Sequence, residues 1–279
     1  MKNTKYFAIA LAALLGMSSI PVNAAAGPMG ISASGDIGVF NQYIWRGAPQ
    51  NTNKAAVQGD VSLSVPVGPG DLSASVWGSN TFASPAPQFS GQDAIEFDWT
   101  LDYSLSLGDF GFSVGDIYYT YLRDSTANFD EIYAGTSYDG DALLGIHPFF
   151  TAYYTVADSS ITVNNLNEKG DVWMETGATG SVAGVDLSGM VSFAVYKSDP
   201  TRVNSVTPTT PAGSVPVFFD NGPAVVTLGM SKDFKIADVT ITPSFTVYVP
   251  VSSKAPNGKR FIYSTESDTN VVLGVNAAF

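Results

Sequence analysis

Carboxylate side chains occupy polar positions in several segments of this chain that alternate between apolar and polar residues. Residues at even spacing point to the same face of an extended strand, so these segments would gather their acids on one face of a sheet. The acids are Asp60, Glu96, Asp98, Asp102, Glu131 and Glu175. Such a face could line a pore and select cations, and two of its carboxyl groups could also form a hydrolytic pair. The sequence does not separate these two uses.

Nucleophilic catalysis has little support in the residue types. His147 is the one histidine, and Pro148 follows it. No serine lies within a few residues on the same strand face, so we interpret His147 as a hydrogen-bonded structural residue. The sequence has no cysteine, which excludes disulfides, thiolate metal sites and a cysteine nucleophile. No calcium-loop spacing appears. We therefore predict no catalytic residue, no cofactor and no metal site.

The acids lie in segments that alternate between apolar and polar residues. In the segment 93–108 the apolar positions are Ile95, Phe97, Trp99, Leu101, Tyr103, Leu105 and Leu107. Segments 57–67, 187–195 and 239–249 alternate in the same way, and Pro243 in the last of them predicts a bulge. After the first 24 residues no apolar run is long enough for a membrane helix. A transmembrane β-barrel combines high apolar content with alternation, whereas a secreted β-sandwich is the alternative.

Short turns alternate with longer polar connections along the chain. The short turns are at 68–71, 108–111, 139–141, 183–186 and 232–238, and the long connections at 47–56, 80–93, 123–129, 157–170, 198–221 and 251–265. This order predicts an all-β, antiparallel, up-and-down transmembrane barrel of twelve strands with both termini in the periplasm. Twelve strands predict a narrow lumen. The connection 198–221 contains four prolines and is predicted either to be disordered or to fold inward over the pore.

The N-terminus and the charge balance predict where the protein is found. Residues 1–24 contain a cationic start, a short apolar run and a small-residue cleavage site, as in a secretory signal peptide. Residues 25–279 would then form the barrel in the bacterial outer membrane, in contact with lipid and lipopolysaccharide. The chain has 13 basic and 25 acidic residues, which argues against nucleic acid as a partner. Nothing in the sequence marks an interface between protomers.

The polar face of each strand must be the inner face, because a charge facing lipid is costly. The acids would then form a ring in the lumen, with Asp102 deeper than the others. Arg46 is predicted at the outer end of the first strand, near Asp60 and Asp268. The ring either makes the pore cation-selective or consists of acids paired with Arg46 and Arg123 and hydrogen-bonded to neighbours.

Aromatic residues near the strand ends predict girdles at the membrane interfaces. These residues are Tyr43, Trp45, Tyr103, Tyr118, Tyr138, Tyr196 and Phe279. Trp77, Trp173 and Tyr248 are candidates for the inner face. Asn41 falls on the lipid side of the first strand, and the pattern gives no reason for it.

Several short motifs resemble one known family. They begin with Gln42-Tyr43-Ile44-Trp45-Arg46-Gly47-Ala48-Pro49-Gln50 and continue through Trp77-Gly78-Ser79-Asn80 to Glu131-Ile132-Tyr133-Ala134-Gly135. In these the chain is similar to the TorF-type porins of proteobacteria, conserved outer-membrane proteins of unknown function. The resemblance covers the first half of the mature chain well, and 157–220 departs from it. It implies a porin-like outer-membrane barrel and no particular substrate or binding residue.

Together these features predict a channel for passive diffusion of small hydrophilic solutes or ions, biased toward cations. The alternative is a structural or partner-binding barrel whose lumen is closed by the connection 198–221. An outer-membrane hydrolase is the third possibility.

Overall fold

The wall of the molecule consists of twelve long strands. The computed structural model describes residues 30–51, 55–82, 93–122, 125–157, 168–196, 222–251, 253–254, 260–261 and 269–279. The wall strands are β1 (Ser32–Phe40), β2 (Ala56–Val67), β3 (Gly70–Phe82), β4 (Asp93–Leu107), β5 (Phe110–Leu122), β6 (Phe129–Tyr138), β7 (Ile146–Ala157), β8 (Val172–Val182), β9 (Val185–Val195), β10 (Gly222–Ser231), β11 (Val239–Pro250) and β12 (Asn270–Ala278). The predicted signal peptide, the connection 198–221, Arg123 and Asp268 lie outside the described residues.

Each wall strand pairs antiparallel with its neighbours, and the sheet closes on itself. β12 pairs with β11 on one side and with β1 on the other, and β10 pairs with β11. This confirms the predicted twelve-stranded antiparallel barrel. Closure leaves no sheet edge unpaired, which is what a membrane-spanning sheet requires.

The remaining elements are short. They are the strand pairs Ile44–Trp45 with Ala48–Pro49 and Ser253–Lys254 with Arg260–Phe261, the strand Phe234–Ile236 beside β11, and the 3₁₀ turns Ser125–Ala127 and Asp141–Leu143. Within the described parts of the chain, no helix is long and apolar enough to cross a membrane. Tight turns join strands at one end of the barrel, called here the short-turn end. The connections at the opposite, long-loop end are longer.

Alternation sorts apolar side chains to the outside of the barrel and polar ones to the inside. In β4, the side chains of Trp99 and Leu101 are 51% and 53% exposed, whereas Glu96 and Asp98 are 1% and 2% exposed. Asp116 and Asp130 depart from this rule. Asp116 lies between exposed Val114 and Tyr118 on the outer face of β5, and Asp130 lies opposite Tyr118 on the outer face of β6. The outer face is otherwise the apolar belt that lipid-facing strands require.

The predicted bulge at Pro243 is not present. β11 pairs with β12 without a register shift, Pro243 lying opposite Val275. On the other side, pairing with β11 stops at Ser231 and resumes at Phe234, and the Pro243 carbonyl accepts a bond from Lys232 N at 3.3 Å. In an antiparallel strand the nitrogen and carbonyl of one residue point to the same side. The missing N–H of Pro243 therefore faces this interruption, where no ladder bond is lost.

Candidate functional site

The connection between β1 and β2 forms a hairpin inside the barrel. Ile44–Trp45 pairs with Ala48–Pro49, and the two residues at the tip, Arg46 and Gly47, have φ angles of 49° and 82°. Two positive φ angles in a two-residue loop are the signature of a type I′ turn. A left-handed conformation is strained for a side chain such as that of Arg46, so contacts at the tip must hold it there. We call residues 43–51 the lumen hairpin.

Hydrogen bonds close the base of the lumen hairpin. The Tyr43 amide donates to Oδ1 of Asn51 at 2.6 Å, and the Gln50 amide donates to the Tyr43 carbonyl at 2.8 Å. Asn51 is completely buried. The two arms therefore leave and re-enter the wall at adjacent points, as one compact unit.

The lumen hairpin crosses the barrel interior. Tyr43, Ile44 and Trp45 are each at most 8% exposed. A Cβ built on Gly47 would lie 2.5 Å from Cγ2 of Val225, which belongs to β10. The tip thus contacts the inner face of β10, which lies three strands from β1 around the barrel. The prediction that Tyr43 and Trp45 belong to an interfacial girdle is wrong, because both fill the lumen.

Asn41 makes the change of direction possible. Its amide nitrogen Nδ2 donates to the Val271 carbonyl at 3.0 Å, and its Oδ1 accepts from the Leu273 amide at 2.7 Å. Gln42 Nε2 also donates to the Val271 carbonyl, at 2.9 Å. These side chains satisfy backbone groups of β12 that β1 no longer reaches. On the other flank, Asn80 accepts from the Val57 amide at 2.6 Å.

Arg46 at the tip is held by one carboxylate and several rings. Its Nη1 and Nη2 donate to the two oxygens of Glu131 at 2.9 and 2.6 Å. Its Cζ lies 4.5 Å from the ring centroid of Trp45, 5.0 Å from that of Trp173 and 5.3 Å from that of Tyr153. A bidentate pair inside a cation–π cage combines the two strongest ways of binding a guanidinium.

Glu131 has a partner for each of its oxygens. Besides Arg46, it accepts bonds from the hydroxyls of Tyr119 and Thr155, both at 3.2 Å. Arg46 was predicted near Asp60. That prediction is wrong, because the hairpin carries the guanidinium across the lumen to β6. Nearby, Oε1 of Glu175 accepts from the indole nitrogen of Trp173 at 2.6 Å.

Glu96 and Asp98 are two acids that lie two residues apart on the inner face of β4. Oε1 of Glu96 accepts from the Tyr121 hydroxyl at 2.9 Å. Oε2 of Glu96 and both carboxylate oxygens of Asp98 have no hydrogen-bond partner among the described residues. Trp77 and Tyr119 are the cross-strand neighbours of Asp98.

Asp60 and Asp102 also point inward, but each is only partly buried. Asp102 accepts from the Tyr133 hydroxyl at 2.6 Å. Asp60 lies directly opposite Asp36 of β1, which is 5% exposed. Sequence reasoning missed Asp36, although its even spacing from Gly38 and Phe40 places it on the same inner face.

The structure thus places all the predicted acids inside the barrel and buries four of them almost completely in its long-loop half, where one of them binds Arg46. These four are Glu96, Asp98, Glu131 and Glu175. They are buried against aromatic side chains of the wall and the lumen hairpin. Of the candidates for the inner face, Trp77, Trp173 and Tyr248 are all buried there. Their part in ion selectivity stays a prediction.

His147 lies at the short-turn end of the barrel, as expected. Its Nδ1 is 3.6 Å from Oδ1 of Asp139, and Ser137 donates to Oδ2 of the same carboxylate at 3.2 Å. Burial raises the pKa of Asp139, while the Ser137 bond and His147 oppose that rise. A hydrolytic triad needs the histidine between the serine and the acid. Here the acid is in the middle, so this cluster does not have the geometry of an activated serine.

Comparison with solved structures finds outer-membrane barrels. Outer membrane phospholipase A from Escherichia coli is 10% identical, with 92% of this chain and 95% of that chain covered and a TM-score of 0.48. An outer membrane channel from Pseudomonas putida F1 is 11% identical, with coverage of 92% and 97% and a TM-score of 0.48. A FadL homologue from Pseudomonas aeruginosa is 13% identical, with coverage of 89% and 75% and a TM-score of 0.41.

Comparison of the sequence gives a family. No curated protein matches the chain. The model of a family described as a bacterial protein of unknown function (Gcw_chp) matches residues 23–192. That match spans more than half of the length of this chain, and the chain therefore belongs to the Gcw_chp family.

Proposed function

We propose that this protein is an outer-membrane channel that passes small hydrophilic solutes by diffusion, favours cations, and is closed by the lumen hairpin in the conformation described. The observation that carries the proposal is the imbalance of charge inside the barrel. The inward carboxylates include those of Asp36, Asp60, Glu96, Asp98, Asp102, Glu131 and Glu175. Arg46 is the cation held among them. A lumen with this excess of negative charge attracts cations and repels anions.

The exterior of the barrel supports a membrane location. Large apolar side chains on alternate residues are half exposed around the wall, as at Ile37, Val61, Leu101, Val114 and Leu273. In water so large an apolar surface would drive association, whereas in a bilayer it faces lipid. We place the long-loop end outside the cell and both termini in the periplasm, with lipid and lipopolysaccharide around the wall.

Passage of a solute requires the lumen hairpin to move. The contacts of its tip with the wall are the Arg46–Glu131 pair, the aromatic cage and the packing of Gly47 against Val225. The base of the hairpin is closed by its own hydrogen bonds. The tip can therefore be released while the base stays attached to the wall.

The test is single-channel conductance of the refolded chain 25–279 in a planar bilayer under a salt gradient. Because the Gln50 amide is bonded to the Tyr43 carbonyl, a Gly-Gly link can replace residues 44–49 without opening the base. We expect rare or small openings in the wild-type protein. The shortened variant should give larger cation-selective steps. No conductance in either folded protein would reject the channel.

The second candidate is a structural or partner-binding barrel with a permanently closed lumen. It is favoured by the burial of Tyr43, Ile44, Trp45 and Asn51 in the hairpin and by the full set of partners of Glu131. Openings of the wild-type protein separate the candidates. Their presence supports a gated channel, whereas conductance that appears only after shortening, or no conductance at all, supports a barrel with a permanently closed lumen.

Two earlier expectations stay predictions. The lack of hydrolytic activity can be checked by comparing lipid and peptide turnover of the wild-type protein with that of His147→Ala. The similarity to TorF-type porins supports a porin-like role. It adds no residue to the site.

A further inference from the structure

The lumen contains two places where carboxylates meet aromatic rings, and the guanidinium of Arg46 occupies one of them. The other is the Glu96–Asp98 site, which comprises Glu96, Asp98, Tyr43, Trp77, Tyr119 and Tyr121. Glu96 and Asp98 are two residues apart on the inner face of β4 and are 1% and 2% exposed. Three of their four carboxylate oxygens have no hydrogen-bond partner among the described residues.

Aromatic side chains form the walls of the Glu96–Asp98 site. Trp77 and Tyr119 are paired with Asp98 on the two neighbouring strands, and Tyr121 is paired with Glu96. The ring of Tyr43 packs edge-on against Trp77, with 5.3 Å between their centroids.

The Arg46 site shows what this combination binds. There a carboxylate takes two N–H donors while rings lie within 5.3 Å of the guanidinium carbon. The Glu96–Asp98 site offers the same groups, with two carboxylates instead of one. A buried carboxylate without a counter-charge or donors is costly, so the site is suited to a ligand that brings both.

We infer that the Glu96–Asp98 site binds a small organic cation with an ammonium or guanidinium group, which is the class of solute that the channel passes. This inference rests on the proposed function, because it names the solute of the proposed channel. A divalent metal fits less well. Calcium needs six or more oxygen ligands, and no cluster of three or more His, Cys, Asp or Glu side chains placed to hold a metal is found among the described residues. Aromatic walls suit organic cations.

The test is equilibrium binding to the folded full-length barrel in detergent, with methylguanidinium as the probe and N-methylurea as its neutral analogue. Isothermal titration calorimetry at low ionic strength should show saturable binding of methylguanidinium alone. Asp98→Asn and Glu96→Gln should each weaken binding about tenfold or more, the loss expected for a hydrogen bond to a charged group. Asp186→Asn removes the same charge at the short-turn end and should leave binding unchanged. Circular dichroism and heat-modified gel mobility establish that each variant is folded.

The hairpin covers this site, so one further variant is needed. Arg46→Gln removes the protein's own guanidinium from the lumen. Because that group repels a cationic probe, the substitution should strengthen methylguanidinium binding. Asp98→Asn in the Arg46→Gln background should again weaken binding about tenfold or more. Unchanged binding would place the probe in the vacated Arg46 cage and overturn the inference, as would absence of saturable binding in both the wild-type protein and Arg46→Gln. Equal binding of N-methylurea, or equal effects of Asp98→Asn and Asp186→Asn, would also overturn it.

Binding and conductance are separate readouts. Binding without any conductance would retain the site and reject the channel. Conductance without binding would reject the site and retain the channel.

Discussion

Arg46 and Glu131 join two sides of the barrel through a bidentate ion pair, with N–O distances of 2.9 and 2.6 Å. Arg46 comes from the connection between the first two strands, whereas Glu131 belongs to the sixth. The pair therefore fastens the tip of the lumen hairpin to the far wall. Both side chains are largely buried, at 7% and 1% exposure, so solvent screens their attraction little.

Breaking this pair should release the hairpin. In Glu131→Gln the guanidinium keeps its cage but loses its counter-charge, and removal of one partner of a buried pair costs about 3–5 kcal/mol. We expect a higher open probability in planar bilayers and a lower free energy of unfolding in urea. The double variant Arg46→Gln with Glu131→Gln should lose less stability than the sum of the single variants. Additive losses would mean that the pair does not hold the hairpin.

A disulfide at the tip should lock the channel shut. A Cβ built on Gly47 lies 3.6 Å from Cβ of Val225, which is within the range of about 3.5–4.5 Å found in disulfides. The chain has no cysteine, so Gly47→Cys with Val225→Cys introduces a single pair. We expect oxidation to suppress conductance and reduction to restore it.

The single cysteine variants are the controls for the lock. Each should respond little to oxidant. A positive φ of 82° at residue 47 will destabilise any side chain there, by about 1–3 kcal/mol. Equal conductance of the oxidised and reduced double variant would show that solutes do not pass where the hairpin lies.

The barrel could be predicted from the sequence because lipid imposes a period of two. Trp99 and Leu101 outside and Glu96 and Asp98 inside follow directly from that period. The lumen hairpin has no such signature. Tyr43 and Trp45 have the residue types of an interfacial girdle, and an aromatic ring escapes water equally well in lipid or in a packed lumen.

The partner of Arg46 could not be predicted for a different reason. Glu131 is 85 positions away in the sequence. Strand alternation shows which residues face the lumen, but not which of them meet across it. Only the inward turn at Asn41 brings the two together. Its polar side chain on the lipid side of β1 was the one visible sign that the chain changes direction there.

The buried acids should set the ion preference of the open channel. Neutralising Glu96, Asp98 and Glu175 together as Gln, Asn and Gln removes three negative charges from the long-loop half of the lumen. In the variant with the shortened hairpin, the reversal potential under a salt gradient should move toward zero. Asp141→Asn, in an exposed turn at the short-turn end, should leave it unchanged. An unchanged reversal potential in the triple variant would exclude these acids as the selectivity determinant.

The amide side chain of Asn41 should stabilise the seam where the hairpin leaves the wall. Asn41→Ala would leave the Leu273 amide and the Val271 carbonyl without these partners. Both bonds are exposed and Gln42 Nε2 still donates to the Val271 carbonyl, so the free energy of unfolding in urea should fall by about 0.5–1.5 kcal/mol, the net value of an ordinary hydrogen bond. Asn41→Asp keeps the acceptor for Leu273 and loses only the donor, and it should lie between the wild-type protein and Asn41→Ala. If all three unfold at the same urea concentration, water replaces the side chain and the seam does not depend on it.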